Sequence, residues 1–473
     1  MLKNIKIIFY IILLNIFSYY TKKIIIPFKT TKNTNSNYIM SLLQNQIYTQ
    51  LEIGSTKQNI YLSISTETDI FAIESYLINE TFYSAKKSTS YTNNTYLYYY
   101  ENYARMKRGD VLNETFYFQN TLKENDNKNN YSNIMFYYIT ELSKGYSGND
   151  NGYIDDNITL ISGILGLQIT RKYFNYDEII FIKSLKNIDA IDNLVWSISY
   201  ENDEEGYLIF GEYPHQYESN LTENDYININ CITLDYEYYW YFTFTDIKIG
   251  SNKMKSFRTC EYAPQLGLII STIEYYEIID KYFQGFISLN KCKKKEILYK
   301  TIEYYYYECD KNINTTNFEP ILFIHRDSNI NFTLDKNDLF VEYNDILYFL
   351  VIVPKKTSYN QRWVLGKPFV KKYKFAFNHD SKNMLYYEGR TRNNDKSNDR
   401  GNKFKNILFY VLICVLGIFV VILGIFIGKL LFGKKKKKKA NELEDNINED
   451  NNNSINENNK EIISDNDYNK IGI

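Results

Sequence analysis

Apolar and polar positions alternate through much of the central chain. Tyr48–Ile53, Asn59–Ile64, Tyr207–Phe210, Tyr241–Ile249, Ile346–Val353 and Phe375–Phe377 are β-branched and aromatic runs, several with period two. That spacing sets one face of a strand on a core and the other toward water. Turn clusters such as Gly54-Ser55 and Gly250-Ser251-Asn252 separate the runs. Helical patterns are few, and Ser271–Phe283 is the one that stands out. The pattern predicts a mostly-β body.

Two continuous apolar runs break this alternation. Lys3 and Lys6 precede Ile7–Phe17, and polar Ser18, Tyr19 and Tyr20 follow. This order is that of a secretory signal peptide over 1–20, with an uncleaved anchor as the alternative. Ile407–Gly428 carries no charge and has the length a helix needs to cross the hydrocarbon core. Lys429 and Lys434–Lys439 follow at once, which predicts a cytosolic C-terminus and a single-pass type I topology. The lysine run is read as a topology signal and anionic-lipid contact, not as a nucleic-acid patch. The expected organisation is a signal peptide (1–20), a short N-terminal segment (21–45), the body (46–389), a juxtamembrane linker (390–406), one transmembrane helix (407–428) and a disordered tail (429–473). The tail is rich in Asn, Asp and Glu and has too few apolar residues to offset chain entropy.

The formal net charge of the chain is −1, which suggests no strongly electrostatic partner. Its 48 tyrosines are read as compositional bias rather than a binding device. Cys231, Cys260, Cys292 and Cys309 make an even set in the body, and Cys414 lies in the predicted span. An even set in a secreted body fits two disulfides with three possible connectivities. Sequons occur at Asn79, Asn93, Asn113, Asn130, Asn157, Asn220, Asn314 and Asn331. His215, His325 and His379 lack metal-ligand spacing and are read as surface residues. No P-loop, nucleophile elbow or dinucleotide fingerprint is present.

The body repeats itself. Tyr48-Thr-Gln-Leu-Glu-Ile-Gly-Ser55 echoes Thr245-Asp-Ile-Lys-Ile-Gly-Ser251, and Ile164-Leu165-Gly166 echoes Val364-Leu365-Gly366 at a nearly equal separation. Two copies at this scale predict a duplicated, two-lobed architecture.

These marks resemble the pepsin-like aspartic protease family. Ile53-Gly54-Ser55 and Gln58 match its first turn. Ser65-Thr66-Glu67-Thr68-Asp69 falls where D-T-G-S-S belongs. Ser88-Thr89-Ser90-Tyr91, Gly109 and Glu114-Thr115 resemble the segments around the flap. Ser162-Gly163-Ile164-Leu165-Gly166-Leu167 resembles D-G-I-L-G-L. Trp196-Ser197 and Gly206–Gly211, then Trp363-Val364-Leu365-Gly366, Phe369, Tyr373, Phe375, Phe377 and Asp380, continue the match. The resemblance implies a bilobal all-β fold, with lobes over 46–215 and 216–389, a peptide-binding cleft between them, and no metal or cofactor. It also implies the pairings Cys292–Cys309 and Cys231–Cys260, and a flap tyrosine at Tyr103 or Tyr100.

The family's chemistry needs two aspartates sharing one proton across a water. Here Ser65 stands for the first, and Glu67 replaces the glycine of that loop. In the second loop, spacing from Cys260 puts Gln265-Leu266-Gly267 at D-T-G, and a shifted register puts Ala263 at the acid instead. A hydroxyl, an amide or a methyl cannot serve as a general base near neutral pH. Glu67, Asp69, Glu261 and Glu274 are the nearby carboxylates. The expected protein is a degenerate, membrane-anchored family member that binds a peptide or protein ligand, with an endopeptidase using displaced carboxylates as the alternative.

Overall fold

A computed structural model describes residues 22–31, 37–74, 83–102, 105–119, 128–142, 161–169, 179–218, 221–234, 237–238, 240–325, 328, 330–356 and 362–387. The chain divides into two units, Met1–Thr391 and Arg392–Ile473, and every described residue belongs to the first. The predicted signal peptide, membrane span and tail lie outside the described residues. Among the described residues no helix is long and apolar enough to cross a membrane.

The alternating runs are strands. In Ile47–Ile53 the residues Ile47, Thr49, Leu51 and Ile53 are buried while Gln50 faces water. Gln58–Ser65 repeats that pattern, and Tyr241–Ile249 has the predicted bounds. Ile346–Val353 is two strands, Ile346–Phe349 and Val351–Pro354. The predicted helix begins later, at Tyr276, and runs to Ser288 with Ile279, Asp280 and Phe283 inward. The segment read as a short N-terminal extension holds two further elements. Ile24–Thr30 is a strand, and Tyr38–Leu43 is a short helix capped by the Asn37 side chain.

The fold is all-β and bilobal. Six antiparallel strands run in the order Tyr226–Asn230, Asn383–Tyr387, Lys374–Asn378, Val195–Tyr200, Glu205–Phe210, Ile24–Thr30. Three precede residue 215 and three follow it, so both halves of the chain share this sheet. Its apolar face is aromatic. Trp196 stacks on Phe377 at 4.0 Å, Trp240 meets both rings edge-on, and the Trp240 indole N–H donates to the Leu167 carbonyl at 2.6 Å. Removing one such ring would cost about 3–5 kcal/mol.

The duplication is visible in strand pairing. In the first lobe Gln58–Ser65 runs parallel to Ile161–Gly166, which pairs antiparallel with Phe71–Glu74. In the second, Asn252–Tyr262 runs parallel to Trp363–Leu365, which pairs antiparallel with Ile269–Ile270. Each arrangement leaves a tight loop between its first and third strands, residues 66–70 and 263–268. The closing glycines have no room for a side chain. A Cβ on Gly166 would lie 2.5 Å from the Ile70 backbone, and one on Gly366 would lie 2.0 Å from the Leu268 carbonyl oxygen.

Cys292 and Cys309 are bridged. The expected Cys231–Cys260 bridge is not formed. Ile232 N–H donates to the Tyr241 carbonyl, and Phe242 pairs with Cys260, so the strand Tyr241–Ile249 runs between the two cysteines. Two strand spacings are about 10 Å, beyond the reach of a disulfide at about 7 Å. Burial pushes both thiols up. Of the sequons, Asn130, Asn314 and Asn331 are exposed and Asn113 is half-buried. Asn93 lies in the strand Thr92–Asn102, and Asn79, Asn157 and Asn220 lie outside the described residues.

The histidines are not all superficial. His325, which ends the strand Ile321–His325, and His379, which follows Lys374–Asn378, are buried, and His215 is half-buried on the short helix Pro214–Tyr217. Neither ring nitrogen of His379 has a hydrogen-bond partner among the described residues, and its ring lies 5.2 Å from that of Trp240. Burial, with the Lys183 charge second, lowers its pKa from 6.5 to about 3. The folded protein therefore refuses a proton that the unfolded chain takes up below about pH 6.5. Stability should fall by up to about 1.4 kcal/mol per pH unit from there toward pH 3. Urea unfolding at pH 7, 6, 5 and 4 should show that loss, with a shallower pH slope for His379→Phe.

Candidate active-site loops

Strand register identifies the two loop tips. Ser65 pairs with Gly166 at the end of the first parallel ladder. In the second ladder Tyr262 pairs with Leu365, which sets Ala263 opposite Gly366. Counted from these tips, Ser65–Ile70 and Ala263–Leu268 are both six residues long. Gly166 N–H donates to the Ile70 carbonyl, and the Leu268 carbonyl takes the same place against Gly366. Ser65, Thr66 and Glu67 thus correspond to Ala263, Pro264 and Gln265.

This corrects the placement of Gln265. Ala263 stands at the second acid position, and Gln265 corresponds to Glu67, where the family carries its loop glycine. Gly267 does not fill that glycine's place. It corresponds to Asp69, and a Cβ there would lie 2.7 Å from the Leu42 side chain. Pro264, rather than Leu266, displaces the second threonine. Counting from Cys260 fails because sequence spacing does not fix where a ladder ends, whereas the glycine crossing does.

The loops touch across the lobes. Thr66 Oγ1 donates to the Tyr262 carbonyl at 3.2 Å and lies 3.5 Å from Gln265 Oε1. By the internal symmetry a matching bond would run from residue 264 to the first lobe, but proline has neither hydroxyl nor N–H. Half of the paired tie survives. Gln265 Nε2 donates to Glu67 Oε1 at 3.3 Å, a second cross-lobe contact between corresponding positions. The Tyr200 hydroxyl steadies the proline from behind, donating to its carbonyl at 2.7 Å, and burial pushes that hydroxyl's pKa up so that it stays a donor.

At the tips themselves, Ser65 is half-buried and its Oγ accepts from Glu67 N–H at 3.2 Å. Ala263 is buried and offers only a methyl group. Glu261, two residues before that tip, is buried, and Arg362 Nε donates to its Oε2 at 2.6 Å. The Arg362 guanidinium also lies 4.6 Å over the Tyr241 ring. Burial pushes the Glu261 carboxyl up, Arg362 pulls it down, and the Glu67 charge raises it again. Asp69 is buried within the first loop, and Glu274 sits on the 3-10 turn Ile273–Tyr275, after the second loop has ended. Among the described residues no group of His, Cys, Asp and Glu side chains is arranged to hold a metal ion.

The scaffold around the first loop is intact. Gly54, at φ +80°, turns the chain so that Ser55 N–H donates to Ser88 Oγ at 3.1 Å, and Thr89 N–H donates to Ser55 Oγ at 2.8 Å. The buried Glu114 carboxylate accepts from the Tyr83 hydroxyl at 2.5 Å, from Thr115 N–H at 2.8 Å and from the Ser90 hydroxyl. Thr92–Asn102 and Arg105–Phe118 form the flap hairpin, paired out to Asn102↔Arg105. Its turn, with Tyr103, lies outside the described residues, and of Tyr100 only the strand position is described.

A two-lobed β fold with paired glycine-crossed loops is the architecture the family resemblance implied. A family model described as eukaryotic aspartyl protease matches residues 46–386. The chain belongs to that family. No curated protein matches it.

Sequence reasoning missed Pro264, Arg362 and the Tyr200–Pro264 bond. Arg362 had a signal, since it immediately precedes Trp363-Val364-Leu365-Gly366. The tie predicts a contrast between neighbours. Thr66→Val leaves the Tyr262 carbonyl unsatisfied and should cost about 1–3 kcal/mol in chemical denaturation. Ser65→Ala, one residue away, removes only the 3.2 Å bond from Glu67 N–H at a half-exposed site and should cost less, about 0.5 kcal/mol.

Proposed function

We propose that this protein is a non-catalytic member of the aspartic protease family, a single-pass type I membrane protein whose cleft holds a peptide or protein segment. One observation carries the reading. The second acid position is Ala263, and a methyl group cannot share a proton with anything. Ser65 opposite it can hold a water but cannot take its proton near neutral pH. The frame that would position a bound chain is kept, including the half-tie at Thr66 and the Glu114 network at the flap base. An extended ligand would be held as an added strand, with the flap hairpin over it.

Glu67 and Glu261 favour a second reading, an endopeptidase with a rebuilt acid pair, because the charge of one acts on the other. The Arg362 ion pair weighs against it, since its direct bond to Oε2 works against protonation of Glu261, although burial raises the carboxyl on balance. A dyad needs one member free to carry the proton.

Purified full-length protein should leave a peptide library uncut from about pH 3 to 7, the range in which carboxylate pairs work. It should also fail to bind a pepstatin-like inhibitor. Cleavage that is lost on Glu67→Gln or Glu261→Gln would establish the endopeptidase instead. For topology, a tag on the C-terminal tail should be digested by protease added outside sealed microsomes, while the body is protected.

A further inference from the structure

Two free strand edges of the second lobe are guarded in different ways. Cys292–Tyr299 pairs only with Ile302–Asp310 and exposes Lys293, Lys294 and Lys295. Lysines on an edge discourage pairing with another chain. Ile330–Leu334 pairs only with Ile321–His325 and contains no charge and no proline. Its register with that partner is unbroken, so no bulge turns it away.

Along such an edge every second residue turns its amide and carbonyl outward. Thr333 is one of these. Its N–H donates to the Tyr373 hydroxyl at 2.5 Å, and that hydroxyl donates to the Thr333 carbonyl at 2.7 Å. Burial pushes the Tyr373 pKa up to about 12, so the hydroxyl keeps its proton. Asp335, two residues on, donates its N–H to Asp338 Oδ2 at 2.8 Å. Asn331, two residues before, turns its amide and carbonyl the same way as Thr333, and among the described residues no hydrogen bond caps them. The residue left open is the first of the sequon Asn331-Phe332-Thr333. Its side chain is exposed, on the face opposite the buried Ile330, Phe332 and Leu334. Asn130 and Asn314 are exposed too, but neither is on a free edge: the strand holding Asn130 is paired on both sides, and Asn314 lies outside any strand.

We propose that Asn331 is N-glycosylated and that its glycan guards the uncapped stretch of this edge against pairing with another strand. In the modification, Asn331 Nδ2 bonds to C1 of the first sugar of a lipid-linked oligosaccharide donor, the donor's pyrophosphate leaves, and Nδ2 gives up one proton. The bulk of the sugar then does here what the lysines do on the other edge. This rests on the topology above, which sets the body in the secretory lumen.

Full-length protein made in a glycosylating eukaryotic cell is treated with peptide-N-glycosidase in heavy-oxygen water, which marks each occupied asparagine for mass spectrometry. Asn331 should be marked. Asn331→Gln and Thr333→Val, which both remove the sequon, should shift the purified protein in detergent toward dimers and larger species by sedimentation. Thr333→Ser, which keeps the sequon, should sediment as the parent. Asn331→Pro lacks both the glycan and the outward N–H, and it too should sediment as the parent. A bare Asn331 in protein marked at Asn130 or Asn314 would overturn the inference and leave the topology standing. A marked Asn331 with unchanged sedimentation of Asn331→Gln and Thr333→Val would overturn the guarding role, as would equal self-association of Asn331→Pro. Protein with no marked asparagine would overturn the topology as well.

Discussion

The cleft floor depends on two close approaches of backbone to backbone. Behind each loop a glycine passes so near a loop carbonyl or amide that no side chain fits, at Gly166 against Ile70 and at Gly366 against Leu268. Each crossing fixes where its parallel ladder ends, and the end of the ladder decides which residue stands at the tip. Ser65 and Ala263 are therefore positioned by glycines about a hundred residues downstream, not by their own chemistry. This explains how the architecture persists when the reacting groups are gone. Nothing in the crossing needs a carboxylate.

With the acids absent, the contact between lobes is rebuilt from other groups. In a proton-sharing pair the tips meet through water and carboxylates. Here they meet through Thr66 to the Tyr262 carbonyl and Gln265 to Glu67. Glu67 and Gln265 hold corresponding positions, so both loops have lost the same glycine and use the added side chains to reach each other. Pro264 breaks the symmetry, since it cannot return the bond that Thr66 makes, and Tyr200 restrains its carbonyl from the shared sheet instead.

Charge is placed where burial makes it expensive. Glu261 is carried below the second tip only because Arg362 meets it directly, and an unpaired buried carboxylate would be strongly destabilising. Glu114 is held by three donors at the flap base, which ties the Gly54 turn to the hairpin strands. His379 is the opposite case, a titratable ring kept neutral among aromatic side chains between the lobes. For this one group, folding is favoured more at neutral than at acidic pH.

The strands and the duplication were legible in the sequence because both are written in local pattern. Period-two alternation gave Ile47–Ile53 and Tyr241–Ile249 nearly to the residue, and the glycine-ended echoes gave the two lobes. The first tip was legible too, since Ser65 closes a clear strand. The second was not, because Asn252–Tyr262 runs into Ala263-Pro264-Gln265 without a local mark for the end of its ladder, and only pairing with Trp363–Leu365 supplies one. The strand Ile24–Thr30 and the helix on the second loop were missed for a related reason. Their partners lie near residues 205–210 and 267, and no window along the chain contains both sides of such a contact. Of the two pairings the resemblance implied, Cys292–Cys309 is formed and Cys231–Cys260 is not, because the sequence does not show the strand that runs between the latter two. Sequence determined which residues the protein owns and which face each strand buries. Tertiary structure decided which of them meet, because hydrogen-bond register across distant strands is set by packing and not by spacing.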